Sequence, residues 1–148
     1  MKPVKKIGQA CVLACLESFY LDNNFNMTQQ MLINHLKPLG LSTDNGIVCD
    51  ISKVAKALGL NLAKINSNLP VGHNLKNNEA IIFLLEGING DGRHCIRFSK
   101  NIANNGIEAM DPDSNNPDCL ENYDYGRLTS GQLNPAQFNI YKITIPVP

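Results

Sequence analysis

The chain predicts an α+β fold: N-terminal helices packed on a C-terminal antiparallel sheet, in one domain spanning residues 1–148. Apolar residues recur at helical spacing through the first sixty residues. Beyond them come short apolar runs of strand character, separated by Gly-, Asn- and Asp-rich turns. A length of 148 residues, 43% of them hydrophobic, suits a single sizeable core.

Residues 1–10 read as an extended lead-in, because Pro3 and Gly8 argue against helix. From Cys11 to about Asp22, Leu13, Leu16, Phe19 and Tyr20 mark an amphipathic helix, with Ala14 small enough for close packing. Asn23-Asn24 ends it. A second helix is predicted over Thr28–Lys37, with Met31, Leu32 and Leu36 inward and Pro38-Leu39-Gly40 stopping it. Asp50 has the character of an N-cap for a third, whose apolar face is Ile51, Val54, Ala55 and Leu58 and whose stop is Gly59.

Asn61–Ile65 reads as a short strand. The continuous apolar run Ala80–Leu85 suits a strand buried on both faces. A turn over Ile88–Gly92 returns the chain as an antiparallel partner, Arg93–Ser99. Gly106–Met110 and Phe138–Val147 make two further strands, and the polar stretch Asp113–Gln137 between them reads as a long surface excursion.

A formal net charge of zero argues against a nucleic-acid partner, and Lys2, Lys5 and Lys6 are too few to bind phosphates. No apolar run approaches the roughly 18 residues of a membrane span, so no membrane partner is expected. Gly8, Gln9 and Glu17 spoil the N-terminal stretch as a signal-peptide core. The expected location is the cytoplasm by default, with export by a signal-less route as the alternative. Five cysteines, at 11, 15, 49, 95 and 119, do not suggest a disulfide framework. Nor does their spacing make a zinc site, since adjacent His94 and Cys95 point to opposite faces of a strand. No metal or cofactor is expected.

The chemistry-bearing residues are Cys11, His94 and Asp111, in that order. Cys11 stands where the Gly8-Gln9-Ala10 lead-in meets a helix, so helix amides can stabilise a thiolate and face an oxyanion. His94 follows a glycine-rich turn at the start of a strand, from which an imidazole can reach a helix end. Asp111 closes the strand expected beside it. Each residue alone has a plainer reading: a buried cysteine, a satisfied or exposed histidine, an Asp-Pro turn. The ordered set is what a cysteine nucleophile needs. His35 near a helix C-terminus, His73 in a loop, Cys49 and Cys95 as packing residues, and Asp111–Asn115 without an EF-hand's glycine and glutamate offer no comparable site.

Cys11-Val12-Leu13-Ala14-Cys15-Leu16 resembles the Cys-Gly-x-Ala-x-Leu segment of the papain-fold peptidases that cut double-glycine leaders from bacteriocin precursors. Leu58-Gly59-Leu60 after the intervening helices, His94 with its apolar strand, and Asp111-Pro112 seventeen positions later are similar to that family too. The resemblance implies a papain-like cysteine peptidase fold with Cys11 as nucleophile, His94 as base and Asp111 orienting it. Two positions depart from the family. Val12 replaces a glycine, and Lys5 stands where an oxyanion-hole glutamine lies six residues before the nucleophile. Gln9 is six residues before Cys15, which makes Cys15 the alternative nucleophile. Cys11 is preferred, because a helix starting at Cys15 would be too short and would strand Val12-Leu13 in a loop. Gln9 then becomes the candidate oxyanion amide.

The functional expectation is a cysteine hydrolase cleaving peptide or isopeptide-type amides of a peptide or protein substrate through a thioester. An acyltransferase or deamidase using the same three residues is one alternative. An inactive papain-fold module that binds a peptide or protein partner is the other.

Overall fold

The computed structural model describes residues 2–65, 75–87, 91–103, 106–114, 120–124 and 139–147. Three helices come first: α1 (Cys11–Asp22), α2 (Gln29–Leu36) and α3 (Ile51–Ala57), with a 3-10 turn at Lys37–Leu39. Strands follow: β1 (Asn61–Ile65), β2 (Glu79–Glu86), β3 (Gly92–Ala103), β4 (Gly106–Met110), β5 (Leu120–Asp124) and β6 (Asn139–Thr144). They form one antiparallel sheet in the order β1-β6-β2-β3-β4-β5.

The α+β layout and most element positions agree with the sequence reading, and the differences have local causes. Helix α1 is not simply amphipathic. Nine of its residues are buried, Ser18 among them, because it lies between α2 and the sheet. On α2 the inward set is Gln29, Leu32, Ile33 and Leu36, the i, i+3, i+4, i+7 stripe. Met31, expected inward, is 46% exposed on the opposite side. Thr28 is the cap of α2, accepting from the Met31 amide, and Asp50 caps α3 by accepting from the Ser52 and Lys53 amides. The excursion predicted over Asp113–Gln137 contains a strand, β5, paired with β4. The turn residues 88–90, His73 and Cys119 lie outside the described residues.

Strand β2 is buried on both faces. Ala80, Ile82 and Leu84 join Cys95, Met110, Tyr141 and Ile143 against the helices. Ile81 and Phe83 alternate onto the other face, with Ile96, Phe98, Ala109 and Ile140. Strand β3 is thereby fixed against β2 on one side and α1 above.

A bulge positions the start of β3. Leu85 pairs with His94 but Glu86 pairs with Gly92, so β3 carries one extra residue there. The bulge breaks the two-residue alternation: Gly92 and Cys95 both meet the helical layer. Gly92 must be glycine for a steric reason. A Cβ on it would lie 2.8 Å from Val12 Cγ2 and 3.0 Å from Val48 Cγ2.

Candidate active site

The cleft is built where the lead-in, the first turn of α1 and the start of β3 converge. Gln29, 4% exposed at the head of α2, holds the lead-in from below. Its Nε2 donates to the Lys5 carbonyl at 2.7 Å and its Oε1 accepts from the Ile7 amide at 2.8 Å. The turn at 43–46 closes over Ala10, the residue preceding α1. Gly46, at φ +83°, permits this, since a Cβ there would lie 2.4 Å from Ala10 Cβ. Cys11 is thus presented as the first residue of α1 from two anchored sides.

Cys11 Sγ lies 3.6 Å from His94 Nδ1, across 83 residues of sequence. His94 Nε2 lies 3.4 Å from Asp111 Oδ1. The same Asp111 oxygen accepts from the Asp113 amide at 2.9 Å, and the Asp111 carbonyl accepts from the Ser114 amide, so an Asx-type turn holds the carboxylate. Cys11, His94 and Gln9 line a cleft of about 480 Å³ together with Lys6, Ile47, Asp91, Gly92 and Asp113.

The charges follow from these contacts. His94 is raised from 6.5 to about 10, first by its hydrogen bond to Asp111, then by Cys11, against the opposing effect of burial. The imidazole is therefore cationic at neutral pH. Burial acts to raise Asp111, but the His94 hydrogen bond and the Asp113 amide outweigh it and hold the carboxyl below its ordinary value. Lys6 is raised above the usual lysine value, chiefly through its bond to Asp113.

Cys15 is one turn further into α1 and 1% exposed. Its thiol donates to the Cys95 carbonyl at 3.5 Å, and burial pushes it well above the usual thiol range. Cys11 is itself only 3% exposed, so what separates the two is that Cys11 faces His94 and lines the cleft while Cys15 does neither. Gln9 is exposed on the cleft wall, and its own amide is spent on the Asn45 carbonyl at 2.9 Å. Any oxyanion contact would have to come from its side chain. Lys5 is exposed outside the cleft lining. Val12, where the resemblance implies a glycine, is accommodated by the missing Cβ of Gly92 opposite it.

His35 is exposed in the last turn of α2, Cys95 is fully buried, and Cys49 donates its thiol to the Gly40 carbonyl at 3.0 Å. Among the described residues no cluster of His, Cys, Asp or Glu is arranged to hold a metal ion, and no helix is long and apolar enough to cross a membrane. Sequence reasoning missed Gln29 and Lys6. Gln29 carried a signal, a polar residue on the apolar stripe of Leu32, Ile33 and Leu36. Lys6 carried none, since its partner lies 107 residues away.

Helices packed on an antiparallel sheet, with a cysteine at the head of α1 facing a histidine on β3, make this the papain-like cysteine peptidase fold. Among solved structures the chain is similar to the peptidase domain of Streptococcus ComA, a bi-functional ABC transporter involved in a quorum-sensing pathway. The two share 17% identity with a TM-score of 0.63, over 99% of this chain and 100% of that one. No protein-family model matches the chain, and no curated protein matches it.

Proposed function

We propose that the chain is a cysteine hydrolase acting on peptide-type amides, with Cys11 as nucleophile, His94 as proton carrier and Asp111 orienting the ring. One observation carries this reading: a sulfur 3.6 Å from an imidazole that a carboxylate backs at 3.4 Å, on the wall of a cleft. The fold shared with a peptidase domain supports the choice of peptide as substrate class.

In this reading the Cys11 thiolate attacks the carbonyl carbon and the imidazolium of His94 gives its proton to the leaving amine as the C–N bond breaks. Water, deprotonated by the now neutral His94, then attacks the thioester carbonyl; as the C–S bond breaks the carboxylic acid leaves, and the Cys11 thiolate and His94 imidazolium are restored. The oxyanion faces the first-turn amides of α1, which have no intrahelical acceptor, and the side chain of Gln9. Cys15 is the weaker nucleophile because its thiol is buried, protonated and engaged with Cys95.

Limiting iodoacetamide near pH 6, followed by peptide mass mapping, should label Cys11 before the other four cysteines. A peptide substrate should leave an acyl group on Cys11 that turns over in water, and Cys11→Ala should abolish turnover in a folded protein. Faster deacylation with added amines would redirect the assignment to acyl transfer. Equal labelling of all thiols with no acyl adduct would leave the peptide-binding module as the better account.

A further inference from the structure

Lys6 enters the cleft five residues before Cys11, and its contacts close a circuit around the site. Its Nζ lies 2.9 Å from Asp113 Oδ1, and its backbone amide donates to the Pro112 carbonyl at 3.4 Å. Asp113 in turn donates its amide to Asp111 Oδ1 at 2.9 Å, the oxygen that faces His94 Nε2. From His94 the circuit passes to Cys11 Sγ and back along the lead-in to Lys6. The Asp111–Ser114 turn follows β4 at a sheet end, and among the described residues Lys6 ties it to the lead-in twice, through its side chain on Asp113 and its amide on Pro112.

We propose that Lys6 is a positioning residue of this site, clamping the Asp111–Asp113 turn onto the lead-in so that the Asp111 carboxylate stays aligned on His94. The proposal rests on the assignment of Cys11, His94 and Asp111 made above. Lys6 does not touch the reacting sulfur in this role; it acts through Asp113 and Asp111. As a stability element the pair is weak. The side chains are 25% and 56% exposed, and such surface pairs contribute little to stability. Its placement is what gives it an effect, because small misplacements at a reacting centre cost rate far out of proportion to stability.

The sign of the His94 titration separates positioning from simple charge. Among the described residues, the titratable groups around the ring and along the cleft are Cys11 on α1, Asp111 and Asp113 after β4, Lys6 on the lead-in and Asp91 across the cleft. Removing a nearby cation, with nothing else changed, raises a histidine's pKa. Loosening the carboxylate that backs the ring lowers it. In Lys6→Met, the midpoint of His94 followed by proton NMR, with His35 and His73 as internal references, should therefore fall from about 10.

The same variant should lose about tenfold in the iodoacetamide rate of Cys11 near pH 6, less than the roughly hundredfold that a full 1 Å misplacement can cost. Lys6→Arg should recover most of it, and Asp113→Asn should reproduce it without adding to Lys6→Met in the double variant. A His94 midpoint that rises or stays, or a Cys11 rate unchanged in both Lys6→Met and Asp113→Asn, overturns the proposal. His94→Ala run in parallel keeps the two readings apart. If it leaves Cys11 labelling unchanged, the Cys11–His94 assignment itself fails. If it slows labelling while Lys6→Met does not, only the role of Lys6 falls.

Discussion

At the scale of single residues, the site depends on an imidazole kept charged by its neighbours. His94 is held at about 10 against an ordinary 6.5. Its folded-state pKa is raised, so its contribution to stability is complete below about 6.5 and disappears as pH rises through about 10. The stability gap between wild type and His94→Gln, measured by urea unfolding at pH 6 and again above pH 10, should accordingly narrow at the higher pH. Peptide turnover should fall over the same alkaline range, since a neutral ring cannot protonate the leaving amine. Asp111→Asn should slow turnover less than Asp111→Ala, because the amide still orients the ring while losing the charge that stabilises it. Equal loss in the two variants would show that Asp111 acts through its charge alone.

At the scale of elements, the Cys11–His94 geometry becomes a question of how closely β3 approaches α1. Gly92 and Val12 meet there in a fitted pair, large against absent. Gly92→Ala should destabilise the protein by about 1–3 kcal/mol through overpacking. It should also widen the Cys11–His94 separation and slow Cys11 alkylation. Val12→Ala in the same chain should recover part of both effects, Val48 retaining the rest, and denaturant midpoints of the four-member cycle measure the coupling. Additive losses would mean that the two residues do not share the contact. Gln29 is the corresponding element-scale anchor on the other side of the site. Gln29→Leu removes both hydrogen bonds to the lead-in at nearly constant volume and should cost about 1–3 kcal/mol.

At the scale of the whole molecule, the helical layer is bound to the sheet by a buried polar connection as well as by apolar contact. Arg97 of β3 is 6% exposed and donates to Ser18 Oγ at 2.7 Å, with its other terminal nitrogen 2.6 Å from Asp22 Oδ2. Its guanidinium also lies 5.4 Å from the centre of the Phe19 ring. Asp22 reaches further, accepting from the Lys2 amide at 2.8 Å. Asp22→Ala would leave the Arg97 charge buried without its partner and should cost about 3–5 kcal/mol. Adding Arg97→Met should restore much of that loss, because an apolar pair of similar bulk needs no counter-charge. Thermal and denaturant unfolding of the single and double variants test this, and a double variant no better than Asp22→Ala would show that Arg97 stabilises in its own right.

The sequence by itself determined what is local. The spacing of Leu13, Leu16, Phe19 and Tyr20 and the Asn23-Asn24 stop delimit α1, and the observed helix is Cys11–Asp22. Gly106–Met110 is likewise legible residue for residue, and the order Cys11, His94, Asp111 marks the candidate site from the sequence alone. Tertiary structure alone decided the rest. Strand β6 lies between β1 and β2, out of chain order, because pairing follows which edges are free to hydrogen-bond rather than sequence proximity. Ile33 rather than Met31 faces inward because the position of α1 selects which stripe of α2 is covered. Strand β5 was invisible in a polar stretch, since an edge strand is held by its neighbour's backbone and needs no apolar pattern of its own. The bulge in β3, the Gly92–Val12 approach, the Gln29 anchor and the Lys6–Asp113 pair all join segments distant in sequence. Local propensity carries no information about such contacts; they exist only once the sheet and helices have packed.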